Sequence, residues 1–189
     1  MKFGFRTAGF KGWDIKAILL KLSELGYDGV ELCLEHPELS LKKLNHKTIH
    51  GLKEYLTKLG LEAASVSYHG DIDPLPIDLA SNMEAINIAA LFSPRLLIFN
   101  CEKVIPGEKK KQFKDLINRI NRLLKVAKDQ DVTLAIEPEP GLIISDVNDV
   151  SLLLEEISSP YLAVNYCSSC TWYSSALVPE TIQILKDRI

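Results

Sequence analysis

Several things are missing from this chain, and each absence removes a class of function. There is no basic excess: 22 Lys and Arg against 25 Asp and Glu leave a formal net charge of −3. Binding nucleic acid through its phosphates needs a positive face, so no nucleic-acid partner is expected. No apolar run approaches the length of about 20 residues that crosses a bilayer. The residues after Met1 read directly into a strand pattern and not into a basic, apolar leader, so the expectation is a cytoplasmic protein without a membrane partner. There is no glycine-rich phosphate fingerprint after the first strand, where Ala8 to Trp13 (AGFKGW) lacks the spacing. Nor does any serine sit in a G-x-S-x-G elbow, which leaves Ser-His-Asp catalysis without support.

What is present reads as one folded unit. Hydrophobic residues make up 47% and charged residues 25%, an ordinary globular balance. A chain of 189 residues supports one substantial core, and 1–189 is read as a single domain. Apolar spacing switches between a period of two and a period of 3.6 at intervals of about thirty residues, which is βα repetition. Strand patterns cover Lys2–Thr7, Tyr27–Leu34, Leu61–Tyr68, Arg95–Cys101, Val132–Glu137 and Tyr161–Tyr166. The first helix is capped by Asp14 and stopped by Gly26; the second carries Leu52, Tyr55, Leu56 and Leu59 and stops at Gly60. Further helices cover Asp78–Leu91, Lys109–Asp129, Val147–Ile157 and Pro179–Arg188. The cations from Lys109 to Lys128 lie along a helix whose Leu116, Ile120, Leu123 and Ala127 keep helical spacing, so they read as its solvated face.

The strands are expected to be parallel, in an open doubly wound sheet or a closed barrel. Parity decides between them. Ala63, Ser65, Ser67 and His69 alternate with Ala64, Val66 and Tyr68; Thr133, Ala135 and Glu137 with Val132, Leu134 and Ile136; Ala163, Asn165 and Cys167 with Leu162, Val164 and Tyr166. A sheet covered on both faces wants apolar residues on both parities, whereas a barrel can turn its small, polar parity inward. The fold class is therefore α/β, a TIM-type parallel barrel. It reads as incomplete, with six βα units of the usual eight, the C-terminal ones missing: the chain is cut short, another molecule supplies the last strands, or the barrel stays open. An open edge invites pairing, so a homo-oligomer formed through it is expected.

Barrel sites lie at the carboxyl ends of the strands. There the chain places Arg6 and Thr7; Glu31, Cys33, Glu35 and His36; Tyr68, His69 and Asp71; Asn100, Cys101 and Glu102; Glu137 and Glu139; and Asn165, Cys167, Ser169 and Cys170. Glu137 closes an apolar strand and is followed by Pro138, so its carboxylate can hold a divalent cation or act as a base; the plainer reading is an ion pair with Arg6 or a lysine across the barrel mouth. Glu139 is either a site carboxylate or a solvated loop residue. Cys167 and Cys170 form a lone C-x-x-C, and with Glu137 and His69 they make up a four-ligand set suited to tetrahedral zinc. Two buried thiols, or a disulfide, are the alternatives. His69 can bind metal, move a proton or serve structure alone. His46 and His50 are read as surface residues.

At these residues the chain resembles the xylose isomerase-like barrels, the superfamily of sugar phosphate isomerases and epimerases that also includes endonuclease IV. Lys2 to Phe10 with Gly12 and Trp13 looks like the family's first strand and loop, and Leu25 to Leu32 (LGYDGVEL) like its second strand. Ile136 to Gly141 (IEPEPG) is similar to the fifth-strand motif. The resemblance implies that Glu137 is a metal ligand, that His69 binds a metal or substrate, and that Glu31 faces the site as a proton carrier. Asn165 and Glu139 join His69 as expected substrate contacts. The implied reaction is metal-assisted isomerisation or epimerisation of a small sugar, sugar phosphate or hydroxy-carbonyl compound. Strand six departs from the pattern: Cys167 and Cys170 stand where the family has an aspartate and a histidine. That favours zinc over manganese or magnesium, or no metal at all. It also leaves open a degenerate barrel that serves as a binding or assembly module. Endonuclease chemistry, which uses a histidine-rich trinuclear zinc site, is disfavoured.

Overall fold

Six short strands pair side by side in chain order, all parallel, into one sheet. They are β1 (Gly4–Arg6), β2 (Gly29–Cys33), β3 (Glu62–Tyr68), β4 (Leu96–Phe99), β5 (Thr133–Ile136) and β6 (Leu162–Val164). The computed structural model describes residues 1–70, 78–173 and 178–189, with the backbone alone at 171–173 and 178. Sequential order without a reversal is the arrangement of a barrel and not of a doubly wound sheet, where the order switches direction. The structure holds six strands of such a barrel. Along β1 every residue is exposed, and Phe3 and Phe5 beside this edge are 58% and 40% exposed.

The helices start and stop where side-chain chemistry dictates. The Asp14 carboxylate accepts the Ala17 N–H to open α1 (Ile15–Glu24), and Asn45 with Thr48 forms a capping box on α2 (His46–Leu59). Asp78 caps α3 (Leu79–Ala89), and Asp146 caps α5 (Val147–Glu156). Gly60 ends α2 with φ +69°, a backbone angle that an L side chain resists. Between α3 and α5 runs α4 (Lys109–Gln130); α6 (Ser168–Tyr173) and α7 (Val178–Leu185) follow the last strand. Helix α6 is not expected from the sequence, because six residues without apolar periodicity give no helical signal.

Parity sorts the two sheet faces largely as expected. Val66, Leu97, Phe99, Leu134, Ile136, Leu162 and Val164 enter one contiguous apolar core with α1, α3, α4 and α5. The alternate residues turn to the concave side, where Thr133, Ala135, Ala163 and Asn165 line a hollow of about 800 Å³. Ala63 departs from its expected place. The β2–β3 register slips at Val30/Glu31, so Ala63 joins the helix-side core and Ala64 is left exposed, which is the signature of a bulge.

Helix α4 corrects part of the reading of its cations. Leu116, Ile120, Leu123 and Ala127 are buried as the spacing requires, and Arg122, Lys125 and Lys128 are exposed. Arg119, however, forms a close ion pair with the buried carboxylate of Glu102, and Lys109 Nζ lies 2.7 Å from Asp149. A buried carboxylate demands a partner, and a long cationic side chain from the neighbouring helix supplies it. His46 and His50 are exposed, as expected.

The helix-facing core predicts a sharp contrast within α4. Ile120→Ala removes a fully buried side chain and is expected to lower stability by about 2–5 kcal/mol. Arg122→Ala on the opposite face is expected to stay within about 0.5 kcal/mol. Urea denaturation of both variants measures the difference, and equal effects would contradict the assigned helix faces.

Candidate functional site

The carboxyl ends of β1, β2, β3 and β5 bring together side chains that are far apart in the chain. Arg6, the last residue of β1, places Nε 2.9 Å from Glu31 Oε1 on β2. Its Nη2 lies 3.2 Å from Nδ1 of His69, which directly follows β3. The other imidazole nitrogen, Nε2, is 3.2 Å from Glu137 Oε2 at the end of β5. Glu137 in turn is hydrogen-bonded by the side chain of Asn165, just beyond β6. The result is a polar chain, Glu31–Arg6–His69–Glu137–Asn165, that spans the mouth of the sheet. Asn165 also lines the concave hollow, so the chain meets the hollow at this residue.

His69 is held from a second direction. Its backbone N–H donates a short hydrogen bond to Glu35 Oε1, and that oxygen lies 3.8 Å from Nδ1. With the proton on Nε2, the ring donates to Glu137 and accepts from Arg6. Burial by itself would depress the imidazole pKa, but the Glu137 hydrogen bond and the Glu35 charge outweigh it, and the value is raised. Glu137 shows the converse. Burial would raise its pKa, but the hydrogen bond and charge of His69, the charge of Arg6 and the Asn165 hydrogen bond together lower it. Arg6, although burial opposes its charge, is shifted up by the carboxylates and by Cys33. Glu35 Oε2 and Ser67 Oγ are buried without a hydrogen-bond partner.

The four side chains expected to ligate zinc divide into two pairs. His69 meets Glu137, as above. Cys167 and Cys170 meet each other, with Sγ atoms 3.0 Å apart. The Cys170 N–H reaches Cys167 Sγ at 3.4 Å and Ser169 Oγ lies 3.1 Å from the same sulfur. Against the effect of burial, these hydrogen bonds hold the Cys167 thiol below its ordinary pKa. Burial and the neighbouring sulfur push Cys170 up to about 12. Among the described residues, no three His, Cys, Asp or Glu side chains are placed to hold one ion. Both nitrogens of His69 are engaged, one of them by a guanidinium that would repel a cation. This donor arrangement therefore does not fit a resident divalent metal.

Other expected residues lie apart from the polar chain. Glu139 is half-buried in the loop after β5, where its backbone N–H reaches the Ile144 carbonyl at 3.2 Å. Buried His36 is structural: Nε2 lies 3.1 Å from the Trp13 carbonyl, and Nδ1 accepts the Glu38 N–H. Cys33 and Cys101 are buried, and burial pushes Cys101 up to about 12. Glu102 is taken by Arg119. Asp71 lies outside the described residues. Sequence reading placed Arg6 at the mouth only as a partner for Glu137 and gave Glu35 no role. The spacing of Glu31, Cys33 and Glu35, two residues apart on one parity, carried the signal for Glu35.

The comparisons agree with this geometry at the level of the fold. A profile of the family described as xylose isomerase-like TIM barrel matches residues 19–189. A solved structure of a probable 3-DHS dehydratase, AsbF, from Bacillus anthracis superposes with TM-score 0.84 and 20% identity, covering 100% of this chain and 71% of that one. A 3-keto-D-glucoside 4-epimerase, YcjR, from E. coli gives TM-score 0.82 and 15% identity, covering 100% of this chain and 76% of the other. A D-psicose 3-epimerase from Clostridium cellulolyticum H10 gives 0.71 and 17%, and this chain spans 62% of its length and aligns over 87% of its own. A search of curated proteins finds no significant match. With that profile covering nine-tenths of its length and six parallel strands in barrel order, the chain belongs to the xylose isomerase-like TIM barrel family.

Proposed function

We propose that the chain isomerises or epimerises a small sugar, sugar phosphate or related hydroxy-carbonyl compound. The observation that carries this reading is the continuous polar chain Glu31–Arg6–His69–Glu137 at the strand ends. Such reactions remove a proton from the carbon next to a carbonyl and return it, on the same or the opposite face, while negative charge collects on the carbonyl oxygen. Glu137, kept ionised by His69, Arg6 and Asn165, is the base. Glu31, on the far side of Arg6, is the second proton carrier. His69 with its raised pKa and the Arg6 guanidinium are the donors for the developing oxyanion. Asn165 contacts substrate from the hollow, and Glu139 from the loop. Because the donor set does not fit a metal, the proposed steps run on side chains alone. The epimerases among the structural neighbours support the substrate class.

Incubation with a panel of ketoses, aldoses and their phosphates in deuterated water tests the reading. Deuterium is expected to enter the carbon beside the carbonyl of at least one compound, and Glu137→Gln is expected to slow this by about 10²–10⁴-fold. Binding without exchange across the panel would favour the non-catalytic module.

The pH profile carries the signs of the two shifts. Glu137 with its lowered pKa stays ionised below the usual carboxylate range, so its contribution is lost only as pH falls through that depressed value. The His69 contribution is full below the ordinary imidazole value and is lost as pH rises through the raised one. The rate is expected to fall on the alkaline side at a pH above the ordinary imidazole pKa, and His69→Gln is expected to remove that limb.

Elemental analysis of purified protein is expected to find no stoichiometric zinc, and a chelator is expected to leave the exchange rate unchanged. Metal retained one per chain and lost on His69→Gln would restore the metal-assisted route.

A further inference from the structure

Two thiols at the rim of the site take no part in the reaction proposed above. Cys167 and Cys170 straddle the passage from β6 into α6, at a spacing that puts both side chains on one side of a helical turn. Their sulfurs are already 3.0 Å apart and both residues are half-buried. Cys33 and Cys101, by contrast, are buried in the interior, at 0% and 5% exposure. We propose that Cys167 and Cys170 form a reversible redox pair, oxidised to an intramolecular disulfide by exchange with a low-molecular-weight disulfide.

Hydrogen bonding orders the two steps. The Cys170 N–H is directed at Cys167 Sγ, and Ser169 Oγ lies beside the same sulfur, which is the arrangement that supports a thiolate there. Cys167 loses its proton to water or buffer and attacks one sulfur of the external disulfide, whose bond breaks to release one thiolate. Cys170 then gives up its proton, attacks the Cys167 sulfur of the mixed disulfide and expels the second thiolate. The protein loses two electrons and two protons; the external disulfide gains both and leaves as two thiols.

A bridge across so short a loop constrains the unfolded chain little, so it is not a structural staple. Its effect is local. Oxidation removes the hydrogen bonds made by the two thiols a few residues from Asn165, and it abolishes any negative charge on Cys167 that Glu137 would feel.

The full chain is equilibrated in reduced and oxidised glutathione at graded ratios, quenched with an alkylating reagent and digested. The expected product is a peptide carrying a Cys167–Cys170 bridge, lighter by two hydrogens, that returns to two alkylated thiols in excess reduced glutathione. Cys167→Ser and Cys170→Ser are each expected to abolish the bridge, and the first is also expected to slow reaction with oxidised glutathione. Cys33→Ser is expected to leave it unchanged. Four thiols that stay alkylatable at every ratio would overturn the proposal, as would glutathione on both residues without a bridge. So would zinc that co-purifies and protects both thiols. None of these readouts depends on the sugar chemistry, so the two proposals fail separately.

Discussion

Three carboxylates can stand together at the end of this sheet because one guanidinium stands among them. Glu31, Glu35 and Glu137 all project into the same partly buried mouth, and like charges so placed repel strongly where water is scarce. Arg6 neutralises Glu31 directly and reaches His69, whose ring contacts Glu137 and whose backbone holds Glu35. Against burial and against Arg6, the Glu137 hydrogen bond and the Glu35 and Glu137 charges are what raise the His69 pKa. Arg6 pulls the imidazole value down and helps hold the Glu137 value low, so the acid–base character of the mouth depends on a residue of the exposed edge strand.

Much of this was legible in the sequence, for a physical reason. Strand parity is set by the pleat, so Thr133, Ala135 and Glu137 could be separated from Val132, Leu134 and Ile136 without coordinates. Helix ends were legible where a single side chain or glycine decides them, as at Asp14, Gly26 and Gly60. The bulge that displaces Ala63 was not, because a slip of one residue leaves no trace in an alternation of small side chains. Nor was the partner of Arg6. Strand order fixes which residues reach the mouth, but the choice among Glu31, Glu35 and Glu137 depends on side-chain reach across the concavity.

The expected zinc set shows the limit of reading donors by residue type. Four suitable side chains do lie at the strand ends, but each finds a nearer partner. An imidazole flanked by a carboxylate and a guanidinium has no lone pair to spare for a cation. Two thiols one helical turn apart meet each other first. Metal binding requires convergence as well as softness and charge, and convergence is a property of the fold.

The division between the two faces of the sheet explains how such a site can diverge while the fold persists. Leu162 and Val164 carry β6 into the core, whereas Ala163 and Asn165 face the hollow, and Cys167 and Cys170 lie beyond the last paired residue. Packing density constrains the first set to the size of a methylene. It weighs less on the last, which are only half-buried. Cys167 and Cys170 therefore stand where the sheet's own packing leaves the side chain undetermined. The strand ends thus carry two separate reactive pairs, the thiols of Cys167 and Cys170 and the carboxylate and imidazole of Glu137 and His69, on one frame.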